Sequence, residues 1–316
     1  MTSRATALGQ KEIRDGVLIV HKETGWTSHD VVARVRAILR DSKVGHAGTL
    51  DPSATGVLPI LVGRATRIAE YLVNWDKEYR AQLRLGEATD TQDATGQVLA
   101  RTDLTGVTET DLQTVLTGFR GPQRQLPPMY SAVKVGGQRL YKAARAGKTI
   151  DRAERSIVVH ELELVSFDGR DAILRVVCSK GTYVRTLCAD IGQALGVGGH
   201  LFALERRRVG PLLIEQALTI AQLASHCEAN TLGSQFLSLD ELLFDFPTVV
   251  VNEEQAQRVL HGAPLSPVVG EGALSQVGAG IVRLKNEAGR LLAIGTHDRT
   301  GLGAIRVRKV LNLSSH

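Results

Sequence analysis

Residues 79–85, YRAQLRL, place Tyr79, Ala81, Leu83 and Leu85 at every second position, with Arg or Gln between them. A period of two predicts a strand with one buried face. VLIVHK (17–22) reads as a second strand, ending in a turn at Gly25. Thr27 or Ser28 can cap a helix over 29–40, where Val31, Val32, Val35, Ile38 and Leu39 fall on one face. The short apolar run VLPILV (57–62) predicts a buried segment, and ATRIAEYLV (65–73) reads as helical. TDTQDATGQ (89–97) is turn chemistry. Residues 108–118 suit a helix, and SIVVHELELVSF (156–167) and AILRVVC (172–178) are strands. TYVRTLCADIGQALG (182–196) is a helix with Val184, Leu187, Cys188, Ile191 and Leu195 on one face.

Near residue 245 the pattern changes. DELLFDFPTVVV passes from an acidic, helix-like stretch through a Pro into a strand. Short apolar strands follow (IVRL, LLAIG, IRVRKVL) with one helix, NEEQAQRVLHG. Strands and helices before 245 do not alternate as a doubly wound fold requires. The expected class is α+β: a mixed, mostly antiparallel sheet flanked by helices, with a small β-rich C-terminal domain. The expected divisions are a tail at 1–15, a main domain at 16–245 with an excursion at about 120–155, and a C-terminal domain at 246–316.

Charge changes this picture, because the net +5 is unevenly spread. Residues 120–155 carry nine Lys/Arg against two acids, a net of +7. Residues 283–309 carry seven against two, a net of +5. Residues 209–257 hold no Lys or Arg and seven acids. Two basic blocks fit a surface that tracks phosphates, although two solvated faces would read the same way. No apolar run approaches the roughly 20 residues that cross a bilayer, and MTSRATALGQKEIRDG lacks a signal-peptide core. Cys178, Cys188 and Cys227 have no CxxC spacing, which points away from disulfides and zinc and towards a cytoplasmic protein.

Familiar chemistry is largely missing. No GxxxxGK[ST] is present, and no GxGxxG follows a strand. His21, His29, His46, His160 and His200 never pair at i,i+3 or i,i+4, and no GxSxG occurs. What remains is Asp51 in KVGHAGTLDPSATGVLPI (43–60). Asp-Pro begins turns routinely, so a turn aspartate is the simple reading. Against it, Gly45, Gly48 and Gly56 allow close backbone approach and VLPILV presses the loop on a core. A carboxylate there is partly desolvated and needs a cationic partner.

GHAGTLDPSATGVLPI resembles the signature of the bacterial tRNA pseudouridine-55 synthases, the TruB family. TGWTSHDVV (24–32), KEYRAQLRLGEATDTQDATGQ (77–97), PPMYSAVKVGGQRLYKAARAG (127–147) and CSKGTYVRTLCADIGQALGVGGHLFAL (178–204) match further blocks in the same order. The resemblance covers about 16–245, and the remainder resembles, less specifically, the PUA domain that often ends these chains. It implies the pseudouridine synthase fold and the isomerisation of uridine 55 in the T loop of tRNA. N1–C1′ is broken, the base turns, and C5 joins C1′.

The resemblance implies Asp51 as catalytic nucleophile, Tyr79 packed on the target base, and Arg185 paired with Asp51. Tyr183 and Leu204 would line the base pocket, His46 would fill the space of the extruded nucleotide, and Lys22 would be a basic residue near the site. Asp51 could attack C1′, attack the ring or remove a sugar proton. It must be ionised at neutral pH, which predicts an Asp51–Arg185 contact. HKETG (21–25) and Glu205 depart from the family pattern, and a phosphate contact is expected to move along Arg206, Arg207 and Arg208. No cofactor or metal is expected. The expected partner is the T-arm stem-loop of tRNA, bound by a monomer without an obligate protein partner and with steep salt dependence. An RNA-binding protein without catalysis, or the catalytic subunit of a guide-RNA particle, would carry similar basic blocks.

Overall fold

The structure, a computed structural model, describes residues 15–40, 43–131, 133–145, 147–265, 279–298 and 304–311. The expected tail, apart from Asp15, lies outside the described residues. The main part runs β1 (Gly16–Lys22), α1 (Ser28–Leu39), β2 (Val44–His46), β3 (Thr55–Val62), α2 (Ala69–Val73) and β4 (Lys77–Leu85). It continues through β5 (Glu87–Thr89), β6 (Val98–Arg101), α3 (Glu109–Gly118), β7 (Gly121–Gln125), β8 (Lys134–Val135), β9 (Gln138–Arg139) and α4 (Leu140–Arg145). It ends with β10 (Arg155–Phe167), β11 (Asp171–Cys178), α5 (Val184–Ala194), β12 (Gly199–Val209), β13 (Leu212–Leu213), α6 (Ile220–Glu228) and α7 (Leu239–Leu242).

Nine strands form one sheet in the order β1-β3-β12-β4-β11-β10-β7, with β2 on β3 and β13 on β12. Its pairings are antiparallel except that of β3 with β12, which meet in parallel at Thr55–Glu205 and Gly56–Arg206. That contact depends on a glycine. A Cβ on Gly56 would sit 2.2 Å from the Arg206 carbonyl oxygen, so a side chain there would push the two strands apart. The sheet is the expected mixed, mostly antiparallel one.

The alternation in β4 buries Lys77, Tyr79, Ala81, Leu83 and Leu85 on one face. Leu112 and Leu116 of α3 and Val184, Leu187, Cys188 and Ile191 of α5 pack against that face. Full burial of each such aliphatic side chain stabilises by about 1.5–3 kcal/mol. On the other wing, Val31, Val32 and Val35 of α1 pack on Leu18, Val20, Leu58 and Ile60. A reciprocal Thr27–Asp30 capping box starts α1, and Arg40 in the left-handed region (φ 51°) stops it.

Two expectations change. The helix read over 65–73 splits into a 3-10 segment, Gly63–Ile68, and the short α2. Residues 199–209, read only as glycines and a motif, form β12 between β3 and β4 near the middle of the sheet. Irregularities at Leu201/Ala203 and Arg206/Arg208 break its period of two, which hides the strand in the sequence.

The C-terminal sheet is separate, with order β14 (Thr248–Val251), β15 (Gly280–Asn286), β16 (Leu291–His297) and β17 (Ile305–Val310), and α8 (Glu253–Leu260) beside it. Val249, Val251, Val259, Leu284 and Ile305 form its core. It docks on the main part through Ile294 and Leu311, which share a cluster with Leu239, Leu242 and Leu243. Asp240 of α7 accepts from Arg283 (2.9 Å) and Lys285 (2.6 Å) across the same junction.

Candidate active site

The Asp51 loop is fixed largely through its backbone. After β2 the chain turns through Gly48 (φ 98°) and Gly56 (φ 102°), a conformation that disfavours side chains. Ser28, at the start of α1, grips Leu50 from both sides. The Leu50 N–H donates to Ser28 Oγ (2.9 Å), and that hydroxyl donates to the Leu50 carbonyl (3.2 Å). The Pro52 carbonyl accepts from the Gly25 N–H (2.9 Å) and from Lys22 Nζ (3.1 Å). Arg206 Nη2 donates to the Gly48 carbonyl (3.0 Å). The Ala54 N–H closes the turn on the Asp51 carbonyl at 3.1 Å.

Arg185 comes from the first turn of α5, and its side chain is 6% exposed. Nη2 donates to Asp51 Oδ2, the contact expected from the sequence. Nη1 reaches Asp93 Oδ2 at 3.5 Å. Asp93 is held in turn by the Thr91 hydroxyl (2.7 Å), the Thr95 N–H (3.0 Å) and the Thr95 hydroxyl. Thr186 beside Arg185 donates to Gln92 Oε1 (2.7 Å). The guanidinium is thus set between two carboxylates, with the turn 90–96 as its mount.

Burial lifts the Asp51 carboxyl above its ordinary range, the charge of Asp93 adds to the lift, and Arg185 opposes both. Desolvation therefore outweighs the arginine, the reverse of the simplest expectation. Because 41% of the side chain is still exposed, water tempers that lift.

Tyr79 is buried on β4, opposite Arg206 on one side and Val176 on the other. It packs in one cluster with Leu50, Ala54, Val184 and Leu204. Burial pushes its phenol up to about 12, with the nearby Arg206 guanidinium opposing, so the hydroxyl keeps its proton at neutral pH. Leu204 lies half-buried at the rim of an open depression shared with Thr24, Ser53, Thr55 and Arg80. Gln125 brackets the backbone of Tyr183, accepting from its N–H (2.8 Å) and donating to its carbonyl (3.1 Å).

His46 stands edge-on to His29, with ring centroids 5.6 Å apart. Burial, His29 and Arg206 push its imidazole down to about 4, so it is neutral. Its buried Nδ1 has no hydrogen-bond partner among the described residues. Lys22, expected as a basic residue near the site, lies beneath the Asp51 loop. It is 0% exposed and donates to the Glu23 (3.0 Å) and Pro52 carbonyls. Burial pushes its ammonium down to about 8 while Asp51 pulls it up. In this geometry it supports the Asp51 loop from behind.

The run 206–208, along which a phosphate contact is expected, divides between core and surface. Arg206 is 1% exposed and turned into the core. Arg207 pairs with Glu205 (3.0 Å) and Glu215 (2.9 Å). Arg208 reaches Glu78 at 3.5 Å and donates to the Gly210 carbonyl. The irregularity at Arg206/Arg208 turns Arg206 into the core and leaves Arg207 and Arg208 partly exposed, each with partners within the protein. In the 120–155 block, Arg120 is spent on the Leu162 carbonyl and Arg124 pairs with Glu154. The side chains of Lys134, Arg139, Lys142 and Arg145 lie outside the described residues.

Reading the residues alone missed Asp93, Arg206, Ser28 and Gln125. Asp93 left a signal, a second acid in the turn TDTQDATGQ that follows β4. Ser28 and Gln125 left none, because both act on backbone distant in sequence. Among the described residues, no group of three or more His, Cys, Asp and Glu side chains could hold a metal ion. No helix there is long and apolar enough to cross a membrane.

Comparison with known proteins shows the family of the chain. The model of the TruB family pseudouridylate synthase N-terminal domain matches residues 36–184. That of the tRNA pseudouridylate synthase B C-terminal domain matches 185–250. The second match includes Arg185 and β12, so it belongs to the large sheet, and the four-stranded sheet lies almost wholly beyond it. The chain is 50% identical over 251 residues to tRNA pseudouridine synthase B of Symbiobacterium thermophilum, covering 78% of this chain and 82% of that one. It is 40% identical over 304 residues to the protein of the same name from Bacillus cereus, covering 94% and 97%. Among solved structures, a Cbf5-Nop10-Gar1 complex aligns with TM-score 0.73 at 28% identity, covering 95% of this chain and 86% of that one. An H/ACA RNP bound to a substrate RNA containing 2′-deoxyuridine aligns with TM-score 0.72 at 27% identity, covering 95% and 86%. On these matches, which run almost end to end, the chain belongs to the TruB family of pseudouridylate synthases, a family of isomerases.

Proposed function

We propose that this protein isomerises uridine 55 in the T loop of tRNA to pseudouridine, with Asp51 as nucleophile and Arg185 and Tyr79 as its catalytic partners. The observation that carries the reading is the partly exposed Asp51 carboxylate, one of whose oxygens is gripped by the buried Arg185, itself braced by Asp93.

One carboxylate is enough for this reaction. A glycosidase uses two, one of them to protonate the leaving group. Here uracil leaves as a stabilised anion and stays in the site. An Asp51 oxygen bonds to C1′ as the N1–C1′ bond breaks with its electron pair on the base. The base turns, C5 attacks C1′, and the carboxylate is released. The C5 proton is then lost and N1 gains one, so product and substrate are isomers and no redox cofactor or group donor enters the balance. Asp93 is tied to Thr91, Thr95 and Arg185, which suits it to hold Arg185 and not to donate a proton.

A uridine inside a folded loop is out of reach, so it must be flipped at a cost of a few kcal/mol. Stacking on Tyr79 offsets part of this, with Tyr183 and Leu204 around the base. Neutral His46 fills the vacancy without placing a cation there. Lys22 serves through Pro52 and does not touch RNA. The basic excursion at 120–155 clamps the T-arm backbone, and the C-terminal sheet, acting as a PUA-like RNA-binding domain, extends the contact along the stem. The enzyme works as a cytoplasmic monomer without an obligate protein partner.

Positional mapping tests this. Incubation with a full unmodified tRNA transcript should give pseudouridine at position 55 alone, and none in a transcript carrying cytidine there. Modification elsewhere with position 55 untouched would refute the site assignment.

A further inference from the structure

The helix that carries Arg185 begins without a cap of its own. Tyr183 is the N-cap residue of α5 and makes no side-chain capping bond, where Ser, Thr, Asp or Asn would ordinarily supply one. Gln125, 58 residues earlier in the chain, supplies a hold instead. It is 5% exposed and ends β7, the edge strand of the large sheet. Its Oε1 accepts from the Tyr183 N–H (2.8 Å) and its Nε2 donates to the Tyr183 carbonyl (3.1 Å). The same carbonyl accepts the first bond of the helix, from the Leu187 N–H at 3.0 Å.

Gln125 also stands at the root of the basic excursion. It pairs with Arg155, the first residue of β10, and the chain between the two leaves the sheet there. Arg124 to Glu154 (3.3 Å) and Arg152 to the Pro127 carbonyl close the two legs on each other. The loop before α5 is fastened to the second leg. The Ser179 N–H donates to the Val158 carbonyl (2.8 Å), and the Ser179 hydroxyl accepts from the Val158 N–H (2.9 Å). The start of α5 therefore hangs from both strands that bracket the excursion.

We propose that Gln125 is a positioning residue through which the root of the basic excursion sets the first turn of α5 and, with it, Arg185. This rests on the function proposed above and adds a residue to it. A carboxamide accepts from an N–H and donates to a carbonyl at once, as a neighbouring strand would. Both bonds fall on Tyr183, and Arg185 lies two residues further on in the same helical turn. A shift of the excursion's root is thus passed to the guanidinium that holds Asp51.

The test compares wild type, Gln125→Met, Arg185→Lys and the double variant in single-turnover tritium release from a C5-tritiated T-arm stem-loop. Thermal unfolding and RNA affinity are measured alongside. Methionine keeps the length of the side chain and removes both hydrogen bonds. Gln125→Met should bind RNA as wild type does and react about 10- to 100-fold more slowly, the loss expected of a misplaced reacting group. In the Arg185→Lys background the same change should cost much less, because it acts through the arginine. Equal losses in both backgrounds, or an unchanged rate in Gln125→Met, would overturn the coupling. Gln125→Glu adds a readout that lost stability would not move. The new carboxyl can donate to the carbonyl only when protonated. Its rate relative to wild type at the same pH should therefore rise as pH falls, and a ratio independent of pH would overturn the proposal. If neither variant folds, hydrogen exchange of the wild type reads the contact. The Gln125 carboxamide protons should exchange slowly, and rapid exchange would overturn the proposal. Failure of the wild type to release tritium would instead strike the proposed reaction and leave that exchange measurable.

Discussion

Arg206 and Arg207 are neighbours on one strand, and the sheet gives them opposite surroundings. Arg206 is 1% exposed and bonded to the Val57 and Gly48 carbonyls. The Arg207 side chain is 40% exposed and pairs with Glu205 and Glu215 in solvent. Arg185 and Arg175 repeat the contrast. Arg185 sits buried between Asp51 and Asp93, whereas Arg175 spans Glu78, Glu161 and Glu163 on the open face. Removing one partner of a buried pair strands a charge and costs about 3–5 kcal/mol, whereas an exposed pair contributes about 0–1 kcal/mol. Charge on the inner face therefore shapes the site, and charge on the outer face is largely interchangeable.

Changes on the inner face should cut deepest. Arg185→Lys should lower the single-turnover rate by about 100- to 1000-fold, since a point donor cannot replace a fork aimed at two carboxylates. Full activity in that variant would remove the orienting role. Asp93→Asn should cost less, about 10-fold through a less well-held Arg185, and should also change the pH profile. On the proposed mechanism Asp51 acts as a carboxylate, so activity should fall as pH drops through its raised pKa, at higher pH than for an ordinary aspartate. The charge of Asp93 helps raise that pKa. Its removal should move the acid limb to lower pH, and an unmoved limb would contradict the coupling. On the outer face, Arg207→Gln should leave turnover unchanged and shift the unfolding free energy by no more than about 0.5 kcal/mol. A loss of several kcal/mol in chemical denaturation would erase the distinction between the faces.

Much of this was legible in the sequence because burial leaves a period. β4, β1, α1 and α5 each write theirs in apolar residues, and the resemblance then assigned Asp51, Tyr79 and Arg185. The central strand β12 escaped because its polar run ERRR reads as solvated and bulges break its alternation. The placement of Lys22 escaped for a related reason. A lysine beside a glutamate in HKETG looks exposed, and only the Pro52 carbonyl, 30 residues away, shows why it is buried. Side chains that serve backbone carbonyls far along the chain leave no local mark.

The most direct test of the central claim is tritium release from an unmodified T-arm stem-loop labelled at C5 of its target uridine, by wild type and by Asp51→Asn. Release of one equivalent per RNA by the wild type and none by Asp51→Asn, with RNA binding retained, is the expected result. Release by Asp51→Asn, or none by a wild type that still binds the RNA, would contradict the claim that Asp51 is the essential carboxylate of a pseudouridine synthase.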